Sequence, residues 1–171
     1  MTYFEDLSDY SYGRAMFCRP VTRNVGWLGK GYAFETAQPT EDLLDLVWRY
    51  CKVSVAQTRG IHECEFCPSG DWYQGERKGE KLLLGTSEIR VFGKNGLIYA
   101  APTLIYHYIL IHHYKPPDEF LAPLREEPKP PSPEYFERLR ELDLPWNWTS
   151  SPATWSPRVS LGDRPYRPQK K

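Results

Sequence analysis

Along "PTEDLLDLVWRYCKV" the apolar positions Leu43, Leu44, Val47, Tyr50 and Cys51 return at the helical period. Thr40 stands where a capping side chain belongs, and Glu41 and Asp42 fall in the first turn, near the positive end of the helix dipole. The pattern predicts a helix over this stretch. "SEIRVFGKNGLIYAA" has another rhythm. Two β-branched and aromatic runs flank Gly93-Lys94-Asn95-Gly96, whose Asn-Gly pair tolerates positive φ, and this predicts a β-hairpin. Pro102 suits a first helical position, and Thr103 to about Tyr114 reads as a second helix, stopped by Pro116 and Pro117. A short helix over Asp118 to Leu124 is limited by Pro123.

Elsewhere the pattern is weaker. "CKVSVAQTRG" alternates faintly, and "DWYQGERKGEK" is polar and glycine-containing, which predicts a loop. The first forty residues predict irregular structure and one strand, with Gly26, Gly29 and Gly31 as turn residues. From residue 128 the composition shifts, since nine of the sixteen prolines lie there. "PKPPSP" reads as a stiff linker. Ser132 and Pro133 then offer a cap and a first-turn proline, and Tyr135, Phe136, Leu139 and Leu142 share one helical face. Trp146, Trp148 and Trp155 follow with little periodicity, read as a strap partly docked on the core and as a candidate partner surface. The expected organisation is α+β: one small domain over residues 1–127, then a linker, a short helix and an aromatic, basic tail over 128–171.

Composition narrows the function classes. The 171 residues suffice for one hydrophobic core. The 22 basic and 22 acidic residues cancel, so net charge supplies no attraction to nucleic acid or to an anionic membrane. The most apolar window, "GLIYAAPTLIYHYILIHHY", holds Pro102, His107, His112 and His113, and so predicts a buried helix instead of a membrane span. "MTYFEDLSDYSY" has no basic segment followed by an apolar one, and the expected location is the cytosol.

The chemistry concentrates in "GIHECEFCPSG". Cys64 and Cys67 have the Cys-x2-Cys spacing that lets one tight knuckle fill two corners of a zinc tetrahedron. Cys18 and Cys51 read as ordinary thiols, Cys51 on the apolar stripe of its helix. The other two ligands must come from His62, His107, His112 and His113. His107 and His112 have a spacing that zinc-binding helices use, and the expected set is Cys64, Cys67, His107 and His112, with His62 as the rival. Five residues advance about 500° around a helix, so the two histidines are expected to meet only if the helix tightens or ends between them. Knuckle, hairpin and helix in this order suggest a treble-clef-like zinc unit.

Rival chemistries have less support. A redox Cys-x2-Cys pair places its nucleophile at a helix N-terminus, whereas Pro68, Ser69 and Gly70 follow here. A catalytic zinc needs an open position and a general base, for which Glu63, Glu65 and Glu88 are candidates by proximity. Arg59, Arg90 and Lys94 are the candidate nucleic-acid contacts, without a basic excess behind them.

The phrases "MTYFEDLSDY", "NVGWL", "TRGIHECEFC", "EIRVFGKNGLIYAAPTLIYHYI" and "HHYKPPDEF" together resemble a family of small uncharacterised bacterial proteins, a domain of unknown function. The resemblance covers roughly residues 1–125 and singles out His62, Cys64, Cys67, His107 and His112 as the family's Cys/His positions. It implies scaffold roles for Gly26, Trp27, Pro102, Tyr108, Tyr114, Pro116 and Pro117, and it implies no activity. The functional expectation is a cytosolic bacterial protein with a structural zinc, acting through another protein in a regulatory, for example immunity-type, role. The alternatives are a zinc-dependent hydrolase and a nucleic-acid accessory protein.

Overall fold

The computed structural model describes residues 2–12, 21–68 and 74–148; Cys18 and Trp155 lie outside them. The fold is α+β. A five-stranded sheet has the order β1-β6-β5-β2-β7, with β1 (Thr22–Asn24) parallel to β6 (Ile98–Pro102) and the other pairs antiparallel. The predicted hairpin is its centre. β5 (Glu88–Phe92) pairs with β6 from Glu88↔Pro102 to Phe92↔Ile98, and every residue of both strands is buried. Asn95 and Gly96 turn the chain at φ 56° and 76°, as the Asn-Gly signal requires.

Helix α1 (Glu41–Cys51) is capped as predicted, with the Leu43 amide donating to Thr40 Oγ1 at 3.3 Å. Its buried stripe of Leu44, Val47, Trp48 and Cys51 packs on α2 (Ile105–His112), β2 (Val53–Val55) and β5. Pro102 does not open α2. It ends β6, opposite Glu88, and the helix begins three residues later, because the run "IYAAP" is consumed by the central sheet. Helix α3 (Asp118–Glu126) runs past Leu124 with Pro123 inside it and packs on β5.

The segment predicted as a loop is a second hairpin. β3 (Gln74–Arg77) and β4 (Glu80–Leu83) are joined by Lys78 and Gly79, both at positive φ. Charge latches it to α1: Arg77 Nε donates to Asp45 at 2.6 Å, and Lys52 Nζ and Trp48 Nε1 donate to Glu80 at 2.8 and 3.1 Å.

Residues 133–148 are built into the same core. Ser132 Oγ accepts the Tyr135 amide at 3.2 Å and starts α4 (Pro133–Glu141), whose Tyr135 and Leu139 are fully buried. The Tyr135 hydroxyl donates to the carbonyl of Arg90 at 2.9 Å. β7 (Trp146–Trp148) then adds a strand beside β2. Among the described residues no helix is long and apolar enough to cross a membrane.

Candidate metal centre

The knuckle at residues 61–68 has no regular secondary structure, yet it is fixed from several sides. Burial raises the Cys64 thiol, and the backbone amides of Phe66 and Cys67, which donate to its sulfur, offset part of that rise. The Lys30 amide donates to Glu65 at 2.8 Å, and the Phe66 ring meets Phe34, His112 and Tyr108 at centroid distances of 5.6, 5.3 and 6.1 Å.

Helix α2 presents the histidines. Its last turn does not tighten or end between them. It widens: the His113 amide donates to the carbonyl of Tyr108, five residues back, and the Tyr114 amide donates to the same carbonyl at 3.0 Å. An i→i+5 loop brings residues five apart close to one face, where an α-helix would set them apart. His113 then leaves the helix at φ 56°. Its carbonyl accepts the Ala37 amide at 2.8 Å, which ties the helix end to the segment before α1.

Cys64, Cys67, His107 and His112 converge, with one donor atom from each lying within 4.8 Å of the others. His112 Nε2 is 3.2 Å from Cys64 Sγ, 3.3 Å from Cys67 Sγ and 3.2 Å from His107 Nε2, and His107 Nε2 is 3.4 Å from Cys67 Sγ. Zinc bonds of roughly 2.0–2.1 Å to nitrogen and 2.3 Å to sulfur set tetrahedral edges of about 3.4 Å for N···N and about 3.6 Å for S···N. These four contacts fall just inside those edges and all the donors lie within 4.8 Å of one another, so the four groups could hold a metal ion.

The cluster's protonation fits a site that exchanges protons for metal. Burial, and then the neighbouring His112, push the His107 imidazole down to about 4, so its Nε2 is free to ligate at neutral pH. Burial also lowers His112. Burial pushes the Cys64 thiol up to about 11, and a bound cation would reverse that by stabilising the thiolate.

The other candidates lie elsewhere. His62 is outside the cluster; its Nε2 is 2.8 Å from the Tyr12 hydroxyl. Its backbone is held against Gly85, whose carbonyl accepts the His62 amide at 2.7 Å; a Cβ on Gly85 would lie 2.4 Å from the His62 carbonyl oxygen. Glu63 and Glu65 are exposed, the latter turned to Lys30. Glu88 is buried and bonded to Arg90 Nη1 at 2.6 Å and to Tyr10. Arg90, 1% exposed, is withdrawn from any nucleic-acid surface, and Lys94 pairs with Glu126. Trp146 and Trp148 are half-buried, packed on Phe136 at 5.2 and 5.6 Å.

Sequence reading missed the Tyr10–Glu88–Arg90 network. The signal was the strand period, which puts Glu88 and Arg90 on one face of a strand that is buried on both. Cys51 is a buried thiol, as expected.

The chain belongs to the family described as a domain of unknown function (DUF7919), whose model matches residues 2–125. The matched span contains the whole Cys/His cluster and ends inside α3. No curated protein and no solved structure matches the chain.

Proposed function

We propose that the cluster is a structural zinc site, and that the protein acts by binding another protein, with the knuckle and α2 held as one surface by the ion. The observation that carries this reading is the donor set: two thiols from the knuckle and two imidazoles from α2, gathered within 4.8 Å of one another. Thiolate with imidazole suits zinc and does not suit magnesium or calcium. Four protein donors fill the tetrahedron and leave no position for an activated water, unlike a hydrolytic zinc. The three carboxylates considered as general bases all lie outside the cluster.

An interaction role draws support from Ile61 and Ile111, 45% and 52% exposed. One stands on the knuckle and the other on α2, the two segments that the ion joins. Apolar anchors on a rigid support are what a protein interface uses. A regulatory, immunity-type role in a bacterial cytosol is one form of this activity.

Cobalt substitution tests the closed site. The Co(II) protein is expected to show the intense visible bands of tetrahedral sulfur–nitrogen ligation, unchanged by added azide. Weak bands, or bands that shift with azide, would indicate an open position and favour the hydrolase.

A further inference from the structure

The five-stranded sheet has two outer strands, β1 and β7, and their free edges are finished differently. The chain before β1 covers it. The Tyr10 amide donates to the Thr22 carbonyl at 2.9 Å, the Asn24 amide to the Ser8 carbonyl at 2.9 Å, and the Leu7 amide to the Asn24 carbonyl at 2.8 Å. β7 has no such cover among the described residues. Its phase is fixed by one bond beyond the strand. The Ala56 amide donates to the Pro145 carbonyl at 2.9 Å, and Ser54 pairs with Asn147 two residues along, so the bonded pairs of this antiparallel ladder fall at Pro145 and Asn147. Trp146 and Trp148 take the alternate pairs, and their backbone N–H and C=O groups point away from β2. Pro145 does not blunt this edge, because its missing N–H belongs to the side that faces β2. Natural edges are blunted by charge, a bulge or a covering segment, and "LPWNW", residues 144–148, carries no charge.

The edge is also self-complementary. When two copies of β7 run antiparallel about a twofold axis at Asn147, Trp146 of each lies opposite Trp148 of the other, and each pair can exchange its outward N–H and C=O bonds. The half-buried indoles share one face with Phe136 and meet across the join as aromatic cross-strand pairs. The exposed Asn147 side chains meet at the axis on the other face. Charge permits the contact. Lys52 Nζ, 5.6 Å from the centroid of the Trp148 ring, is already paired with Glu80 at 2.8 Å, and the chain's 22 basic and 22 acidic residues balance.

We propose that β7 is a dimerisation edge, on which a second copy of this chain adds its own β7 and continues the sheet. The surface is separate from Ile61 and Ile111 and shares no residue with the Cys/His cluster, so it stands independently of the metal reading. Sedimentation velocity on the full chain over a range of concentrations tests it, together with amide exchange. The mass is expected to rise with concentration from 20.0 kDa to twice that value. The Trp146 and Trp148 amides should become protected in step with the mass, while the Asn147 amide, bonded to β2, is protected throughout. Asn147→Lys and Asn147→Asp each set like charges against one another at the axis, on an exposed side chain that the monomer does not need. Each variant should stay folded and monomeric, and an equimolar mixture of the two should restore the dimer. Wild-type protein that stays at 20.0 kDa overturns the proposal; protected Trp146 and Trp148 amides in that monomer would assign the edge to residues 149–171 instead. A dimer that both charged variants retain would place the interface elsewhere and overturn it equally.

Discussion

Two parts of the molecule hold irregular chain in place by different means. The knuckle at residues 61–68 buries Cys64 and half-buries Phe66 and Cys67, while Ile61, Glu63, Glu65 and Pro68 are exposed. Elsewhere, the proline-rich approach to α4 delivers Tyr135 and Leu139 into the core and sets Phe136 against Trp146 and Trp148. Apolar burial suffices where the segment carries large side chains. Where it carries mostly polar and charged ones, a Cys/His cluster that could hold an ion is placed to add a cross-link.

Breaking each anchor separates the two. Removing a metal ligand is expected to have the largest effect, because binding energy at such a site is folding energy. Cys64→Ser should lose the ion and lower the Tm by about 10 °C or more, read by calorimetry with metal analysis. Unchanged stability would mean that the knuckle is held by packing after all. Tyr135→Ala removes a fully buried ring that packs on Tyr50 and Phe92 at 5.5 and 5.4 Å. It should cost about 3–5 kcal/mol in denaturant unfolding, with metal content unaffected.

The metal-free protein sharpens the comparison through pH. His107 is pushed from 6.5 down to about 4 in the folded state, so the unfolded chain takes up the proton first as pH falls. Stability from this group is present above 6.5 and is lost as pH drops from 6.5 to about 4, by on the order of 3 kcal/mol. Urea unfolding of apoprotein across that window should show the loss, and His107→Gln should flatten it.

What the sequence disclosed follows from the range of the forces involved. The Thr40 cap, the Asn95-Gly96 turn and the α1 stripe are local; the cap and the turn appear as read, and the stripe does so with Trp48 added and Leu43 half-buried. That Cys64, Cys67, His107 and His112 could come together was legible because their spacings are local within the knuckle and within the helix, and the four do cluster. The widening of α2 was not, since it depends on a single carbonyl, that of Tyr108, accepting amides from His113 and Tyr114. The β3–β4 hairpin was hidden because its covered face is mostly polar: Gly75 and Arg77 alternate with exposed Gln74 and Glu76, and Leu82 brings the one buried side chain; the Lys78-Gly79 turn was the available signal. His62 could not be assigned from spacing alone. Its place is decided by Tyr12 and Gly85, fifty residues before it and twenty-three after it.

Metal analysis of protein purified without chelators tests the central claim most directly. The account predicts one zinc per chain in the wild type and in His62→Ala, with zinc lost from both Cys64→Ser and His107→Ala. Wild-type protein without stoichiometric zinc, or zinc that departs with His62 and persists without His107, would contradict it.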